Sequence, residues 1–300
     1  MAASWHVRYE RRPSALAYMI RACRPSPRVL APGPLPLRAT WQHRVDRREL
    51  ADFLRLAMLT ADAGLPIVYP HVFGFRLHMA LLTHRRFPVP LWGALQIRNR
   101  LLQHRPIPPD AVLDVEAGVA CHRVLEKGAE FDLQTTIHSR GDLAWESLTT
   151  IYYRGRFGDP VPPSPLARTP EVGETVVAEW HMPAGVGWRF GRLTGDYNPI
   201  HWSRWYARRF GFQRDFHHPQ LVIGRCLAHL PRPATYPQRL DAWLKGPVYY
   251  ESDVRLRVSA QPEGASFAVM AGAEARPAIV GRWGAAGVDE RLLPSTEPRS

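Results

Sequence analysis

Apolar and polar positions along this chain run through one order of parts twice. In the first half, Asp46 and Glu49 form an acidic capping box, able to satisfy free N–H groups at a helix start. Leu50, Phe53, Leu54, Ala57 and Met58 follow at helical spacing, with Gly64 as the expected stop. A long apolar segment, 72–82, is entered through Tyr69, Pro70 and His71, and strand-like runs follow at 95–102, 112–124, 130–138 and 145–153. The second half repeats the grammar. Pro183 opens a short helix carrying Val186, Phe190 and Leu193 on one side, and Gly195 ends it. A second apolar segment covers 220–230, and strand-like runs return at 248–258, 266–271 and 278–283. Alternation is clearest from Val254 to Val258, where apolar and basic residues take opposite faces.

An apolar helix followed by alternating strands implies α+β architecture, an antiparallel sheet wrapped around a central helix. Two such units in tandem can continue their sheets edge to edge and so cover exposed strand edges. The halves share little identity, so the duplication is read from the order of parts. The expected division is a basic N-terminal helix and Pro-rich linker (1–36), a first repeat (37–159), a linker (160–174), a second repeat (175–286) and a tail (287–300).

The bulk figures narrow the class. Three hundred residues, 45% apolar and 22% charged, can bury a real core, and no apolar run is long enough to span a bilayer. Cys23, Cys121 and Cys226 stand far apart and form no CxxC pair, the pattern of a reducing, cytoplasmic setting. The net charge of +12 attracts anionic partners, such as nucleic acid, acidic lipid, an acidic carrier protein or the phosphates of coenzyme A. The arginines are scattered, and no nucleic-acid-binding module is recognisable. The first forty residues hold one acid, Glu10, and residues 14–23 can form a short amphipathic helix. A mitochondrial presequence has this flavour, but a helix packed on the body is the expected reading.

The most informative stretch is Thr194, Gly195, Asp196, Tyr197, Asn198, Pro199, Ile200 and His201. Pro199 fixes its own φ and pushes Asn198 toward an extended conformation, making a rigid bend. Such a bend can aim Asp196 and His201 into one cavity, and a carboxylate beside an imidazole is suited to positioning and activating water.

This run resembles that of the MaoC-like hydratases and dehydratases, which include (R)-specific enoyl-CoA hydratases and 3-hydroxyacyl-thioester dehydratases. The likeness continues through Ala207, Gly211, Phe212, His218 and Gly224, with 244–249 in place of the family's strand-opening segment. It covers roughly residues 183–283. The first half is similar to the degenerate repeat of double-hot-dog members, through residues 69–74 and Trp92, Gly93 and Ala94. It lacks a matching acid–imidazole pair, since Asp62 is followed five places on by Ile67. The resemblance implies a double hot-dog fold and a reversible hydro-lyase of fatty-acid-type metabolism. Asp196 and His201 would hold one water, deliver hydroxide to the β-carbon of a 2-enoyl thioester and return a proton to the α-carbon. Gly195, Asn198 and Pro199 would support the loop. It implies no cofactor beyond the coenzyme A or phosphopantetheine of the acyl-CoA or acyl-carrier-protein substrate, no nucleic acid and no membrane span; a homodimer stays open.

One position departs from the family. Where members carry His-Gly, with the glycine N–H polarising the thioester carbonyl, this chain has His218 and Pro219. Proline has no N–H, and loss of an oxyanion donor costs roughly 10²–10³ in rate. Either the backbone of Gln220 or a side chain of His217, His218 or Gln220 replaces it, or the enzyme is slow or specialised for a different carbonyl position, or the chain binds acyl thioesters without turning them over. A thioesterase would release free thiol instead. His217 and His218 have no carboxylate or cysteine at ligand spacing in the sequence, so no metal is expected.

Overall fold

The computed structural model describes residues 5–24, 30, 33–60 and 64–292. Asp62, most of the Pro-rich run 25–36 and the tail from 293 lie outside the described residues. Among the described residues eleven strands form one sheet: β1 (Trp5–Tyr9), β2 (Leu37–Arg44), β3 (Leu95–Gln103), β4 (Val112–Leu125), β5 (Gly128–Ser139), β6 (Asp142–Arg154), β7 (Val176–Met182), β8 (Gln238–Leu244), β9 (Ser252–Gln261), β10 (Gly264–Ala271) and β11 (Ile279–Ala285). Their order is β1-β2-β4-β5-β6-β3-β8-β11-β10-β9-β7, antiparallel throughout except for the β1–β2 pair.

That order exposes the duplication. Within 37–154 the strands run first, third, fourth, fifth, second, and within 176–285 they do so again. The second strand of each half, β3 and β8, pair with each other from Arg98↔Trp243 to Gln103↔Gln238, so each covers the other's edge. Asp241, 1% exposed, fixes this seam by accepting from Arg100 of the other half at 3.1 Å and from Arg239 and Arg282. Each half wraps a central helix, α3 (Pro70–Leu82) in the first and α6 (Pro219–Leu227) in the second. All of α3 but Phe75 is buried, and so is all of α6 beyond Pro219. Helices buried on every side are core helices, although α3 carries His71, Arg76 and His78 and α6 carries Gln220 and Arg225.

The remaining helices are α1 (Ala15–Ala22), α2 (Arg47–Ala57), α4 (Gly187–Thr194) and α5 (Arg204–Arg209). Helix α1 packs on the body: Tyr18 and Ala22 are buried, and Trp92 Nε1 donates to the Ala22 carbonyl at 2.9 Å. Asp46 caps α2 as expected, accepting from the N–H groups of Arg48 and Glu49. The helix ends at Met58, which takes a left-handed conformation (φ 58°), rather than running to Gly64. Helix α4 likewise starts at Gly187, four residues after Pro183.

Four strands escaped the hydrophobic pattern. Edge strand β7 is mostly exposed and so has no apolar face to announce it, whereas β2 does alternate, with Leu37, Ala39, Trp41 and His43 inward. The run expected from 248 begins only at Ser252. Residues 245–251 form a loop whose backbone bonds Ala278 through Lys245 and Gly246, Met182 through Glu251, and the 216–217 segment, with Val248 O accepting from His217 N at 2.9 Å and Tyr249 bridging Phe216. The segment 244–249 is therefore the end of β8 and a turn, not the opening of a strand.

Burial pushes His43 and His71 down to about 4, and His78 and His217 to about 3. An unfolded histidine titrates near ~6.5, so below that pH the unfolded chain binds protons that the folded chain refuses. Stability is expected to be flat above pH ~6.5 and to fall steadily toward pH ~4. Urea titrations at stepped pH should show a slope of several protons there, and a slope under one proton would contradict this account.

Candidate active site

The loop 194–201 is built by short-range bonds around two glycines. Helix α4 ends on Gly195, whose left-handed φ of +81° suits glycine, and its N–H bonds to Gly191 O at 2.7 Å. Asp196 N donates to Thr194 Oγ1 (3.0 Å), Asn198 N to Asp196 Oδ1 (3.1 Å), and Ile200 N to Asn198 Oδ1 (3.3 Å). Pro199 then starts a single 3-10 turn ending at His201. Gly187 matters by close approach, since a Cβ there would collide with the His201 carbonyl.

This loop brings the two expected residues together. His201 Nε2 lies 3.8 Å from Asp196 Oδ2. That gap is too long for a direct bond, yet one water about 2.8 Å from each atom would bridge it. His201 Nδ1 faces the Phe216 carbonyl at 2.9 Å, which places the ring proton on Nδ1 and leaves the Nε2 lone pair toward Asp196. Burial raises the Asp196 pKa, partly offset by His201 and the Asn198 N–H. Burial lowers that of His201, against the pull of Asp196 and the Phe216 carbonyl. Burial thus moves the carboxyl and the imidazole toward each other in pKa, and their titration belongs to the pair.

Asp196 and His201 line a cavity of about 130 Å³ between the halves. From the second half Asn198, Ile200, Phe216 and Pro219 face it. From the first come Met19 of α1, Phe75, Met79 and Leu82 of α3, and Gln96 of β3. Larger open grooves lie elsewhere on the surface, but neither Asp196 nor His201 touches them.

His218, Pro219 and Gln220 occupy the start of α6, as its N-cap and first two residues. His218 Nε2 sits 3.3 Å from the Asp196 carbonyl, and its ring stacks on His201 with centroids 3.8 Å apart at 24°. Asp196, His201 and His218 therefore do gather within 4.8 Å, a carboxylate among histidines that spacing in the sequence did not reveal. His201 Nε2 and His218 Nε2 both stand 3.8 Å from Asp196 Oδ2, but His218 Nε2 faces the Asp196 carbonyl at 3.3 Å, and a nitrogen that donates there has no lone pair for an ion. His217 packs instead on Tyr250, ring centroids 4.1 Å apart, and among the described residues both its nitrogens lack partners. The Gln220 side chain is buried with both polar atoms unpartnered, and among the described residues no acceptor takes its backbone N–H. Pro219 faces the cavity without a donor.

Two supports come from residues that the sequence did not single out. Arg76 on α3 is buried and reaches across from the other half to the Arg192 and Leu193 carbonyls, both at 3.2 Å, closing the end of α4. Tyr250 Oη donates to the His201 carbonyl at 2.7 Å. Neither has a local signal, because each acts across more than forty residues of chain.

No family model matches the chain. It is 28% identical over 224 residues to 3-hydroxyacyl-thioester dehydratase X of Mycobacterium tuberculosis, covering 73% of this chain and 79% of that protein. Among solved structures, HtdX of Mycobacterium tuberculosis superposes with a TM-score of 0.70 at 23% identity, over 82% of this chain and 98% of that one. A MaoC-like dehydratase from Phytophthora capsici gives 0.68 at 15% identity, over 83% and 95%. The fold is the double hot-dog, as the paired helix-wrapped half-sheets require.

Proposed function

We propose that this chain, a double-hot-dog relative of the MaoC-like dehydratases, is a hydro-lyase that reversibly hydrates 2-enoyl thioesters to (R)-3-hydroxyacyl thioesters. The observation that carries the reading is the 3.8 Å separation of Asp196 Oδ2 and His201 Nε2 on a cavity wall, with the His201 proton held on Nδ1. In hydration, His201 Nε2 takes a proton from the shared water while Asp196 orients it, and the hydroxide adds to the β-carbon. The proton then returns from His201 to the α-carbon; dehydration reverses both steps. Gly195, Asn198 and Pro199 hold the loop through the bonds described above.

The repeat at 37–159 has lost the acid–imidazole pair and serves as a wall for the acyl chain, with Phe75, Met79 and Leu82 supplying apolar surface. The thioester carbonyl sits at the start of α6, where the Gln220 N–H is the remaining backbone donor beside Pro219. Coenzyme A or phosphopantetheine enters as part of the substrate and no separate cofactor takes part. A reducing, cytoplasmic setting agrees with three free cysteines, and no helix among the described residues is long and apolar enough to cross a membrane.

A second reading, binding without turnover, is favoured by Pro219 alone. A series of trans-2-enoyl-CoA substrates of increasing length separates the two. Loss of enoyl absorbance, with kcat/KM rising to an optimum and then falling as the chain outgrows the cavity, supports the lyase. Saturable binding without loss of absorbance at any length supports the binder.

A further inference from the structure

The outer side of the catalytic loop carries an apron of exposed aromatics and unpaired arginines. Trp188 meets Trp202 edge to face at 5.5 Å and packs on Tyr197 at 5.1 Å, while Trp202 Nε1 donates to the Tyr197 carbonyl. Trp188 is 52% exposed and Trp205 is 76% exposed, and Trp202 and Phe210 are exposed too. Large exposed aromatics grouped within two dozen residues mark a contact surface rather than ordinary solvent-facing positions. Between them stand Arg189 and Arg192 on α4 and Arg204, Arg208 and Arg209 on α5, all exposed. Among the described residues none of these five forms an ion pair; Arg208 only donates to the Gln213 carbonyl. From 183 to 213 the single acid is Asp196, which faces inward to the cavity.

We propose that this apron docks an acidic carrier protein, which presents the acyl group on a phosphopantetheine thioester to the cavity behind the loop. The inference rests on the thioester reading above and adds the carrier. Charge decides among occupants. A two-fold contact with a second copy would set these arginines against themselves, so self-association is disfavoured. Coenzyme A needs a few cations for its phosphates, whereas aromatics and arginines spread over α4, the 3-10 turn and α5 suit a macromolecular face. The apron also clads the segment that holds Asp196 and His201, so the partner is placed where its cargo is consumed.

The test compares one trans-2-octenoyl group carried by coenzyme A and by a purified acidic acyl-carrier protein. The variants are the triple substitution Arg204→Glu, Arg208→Glu, Arg209→Glu and the single Trp205→Ala. For the carrier substrate, kcat/KM is expected to fall by about tenfold or more in the triple variant, and raised salt should produce a like loss in the wild type. For the coenzyme A substrate it should stay unchanged. Equal effects on both substrates, or turnover of the coenzyme A substrate alone, would overturn the proposal. So would loss of binding to phosphatidylglycerol vesicles in the triple variant with carrier kinetics unchanged, since the apron would then face lipid. Turnover of neither substrate would instead defeat the lyase reading. Docking is then judged by fluorescence anisotropy of labelled carrier, where binding by the wild type and its loss in the triple variant uphold the apron, and no binding overturns it.

Discussion

Replacing Asp196 by Asn, or His201 by Ala, is expected to lower kcat/KM for enoyl-CoA hydration by roughly 10²–10⁴-fold, the usual range for a positioned acid–base group. The two effects should not add, because either substitution removes one side of the same water. The Asp196 variant carries a second expectation. Burial raises this carboxyl's pKa, so keeping it ionised at neutral pH costs folding free energy. A group raised in the folded state destabilises the fold as pH climbs past its unfolded value, so Asn, neutral at all pH, should raise Tm at pH 7 while activity collapses. A variant that loses activity and Tm together would point to a damaged loop instead.

Pro219→Gly is expected to raise the hydration rate, by up to roughly 10²-fold if the carbonyl lies against this residue. Pro219 faces the cavity at the first position of α6, where proline is well accommodated. Its replacement should therefore lower stability only by about 1 kcal/mol, through added freedom of the unfolded chain. Pro219→Ala restores the same N–H with less freedom, so both variants should be faster. If glycine helps and alanine does not, loosening of the turn is the cause. An unchanged or lower rate in both would mean that Gln220 N–H already does the work.

The pattern of polar and apolar positions revealed the duplication and most of the later strands, because β4, β5, β6 and β10 carry long alternating or apolar runs. Strand β7 was invisible, since at the sheet edge exposed residues need no periodic apolar face. The loop 194–201 was legible because glycine, proline and side-chain turns fix it locally. What the sequence could not place depends on tertiary approach: the stacking of His218 on His201, the Arg76 brace from the other half, and the tyrosine under His201. The histidine pair 217 and 218 shows the difference well. One ring joins the cluster and the other packs on Tyr250, and only the geometry of the α6 start says which.

The most direct test of the central claim is mass analysis of the product formed from a 2-enoyl-CoA in ¹⁸O-enriched water. Water held between residues 196 and 201 predicts one heavy oxygen at carbon 3 of an (R)-hydroxyacyl-CoA, with the thioester intact. Heavy oxygen in a free carboxylate alongside released thiol, or no incorporation at any chain length, would contradict it.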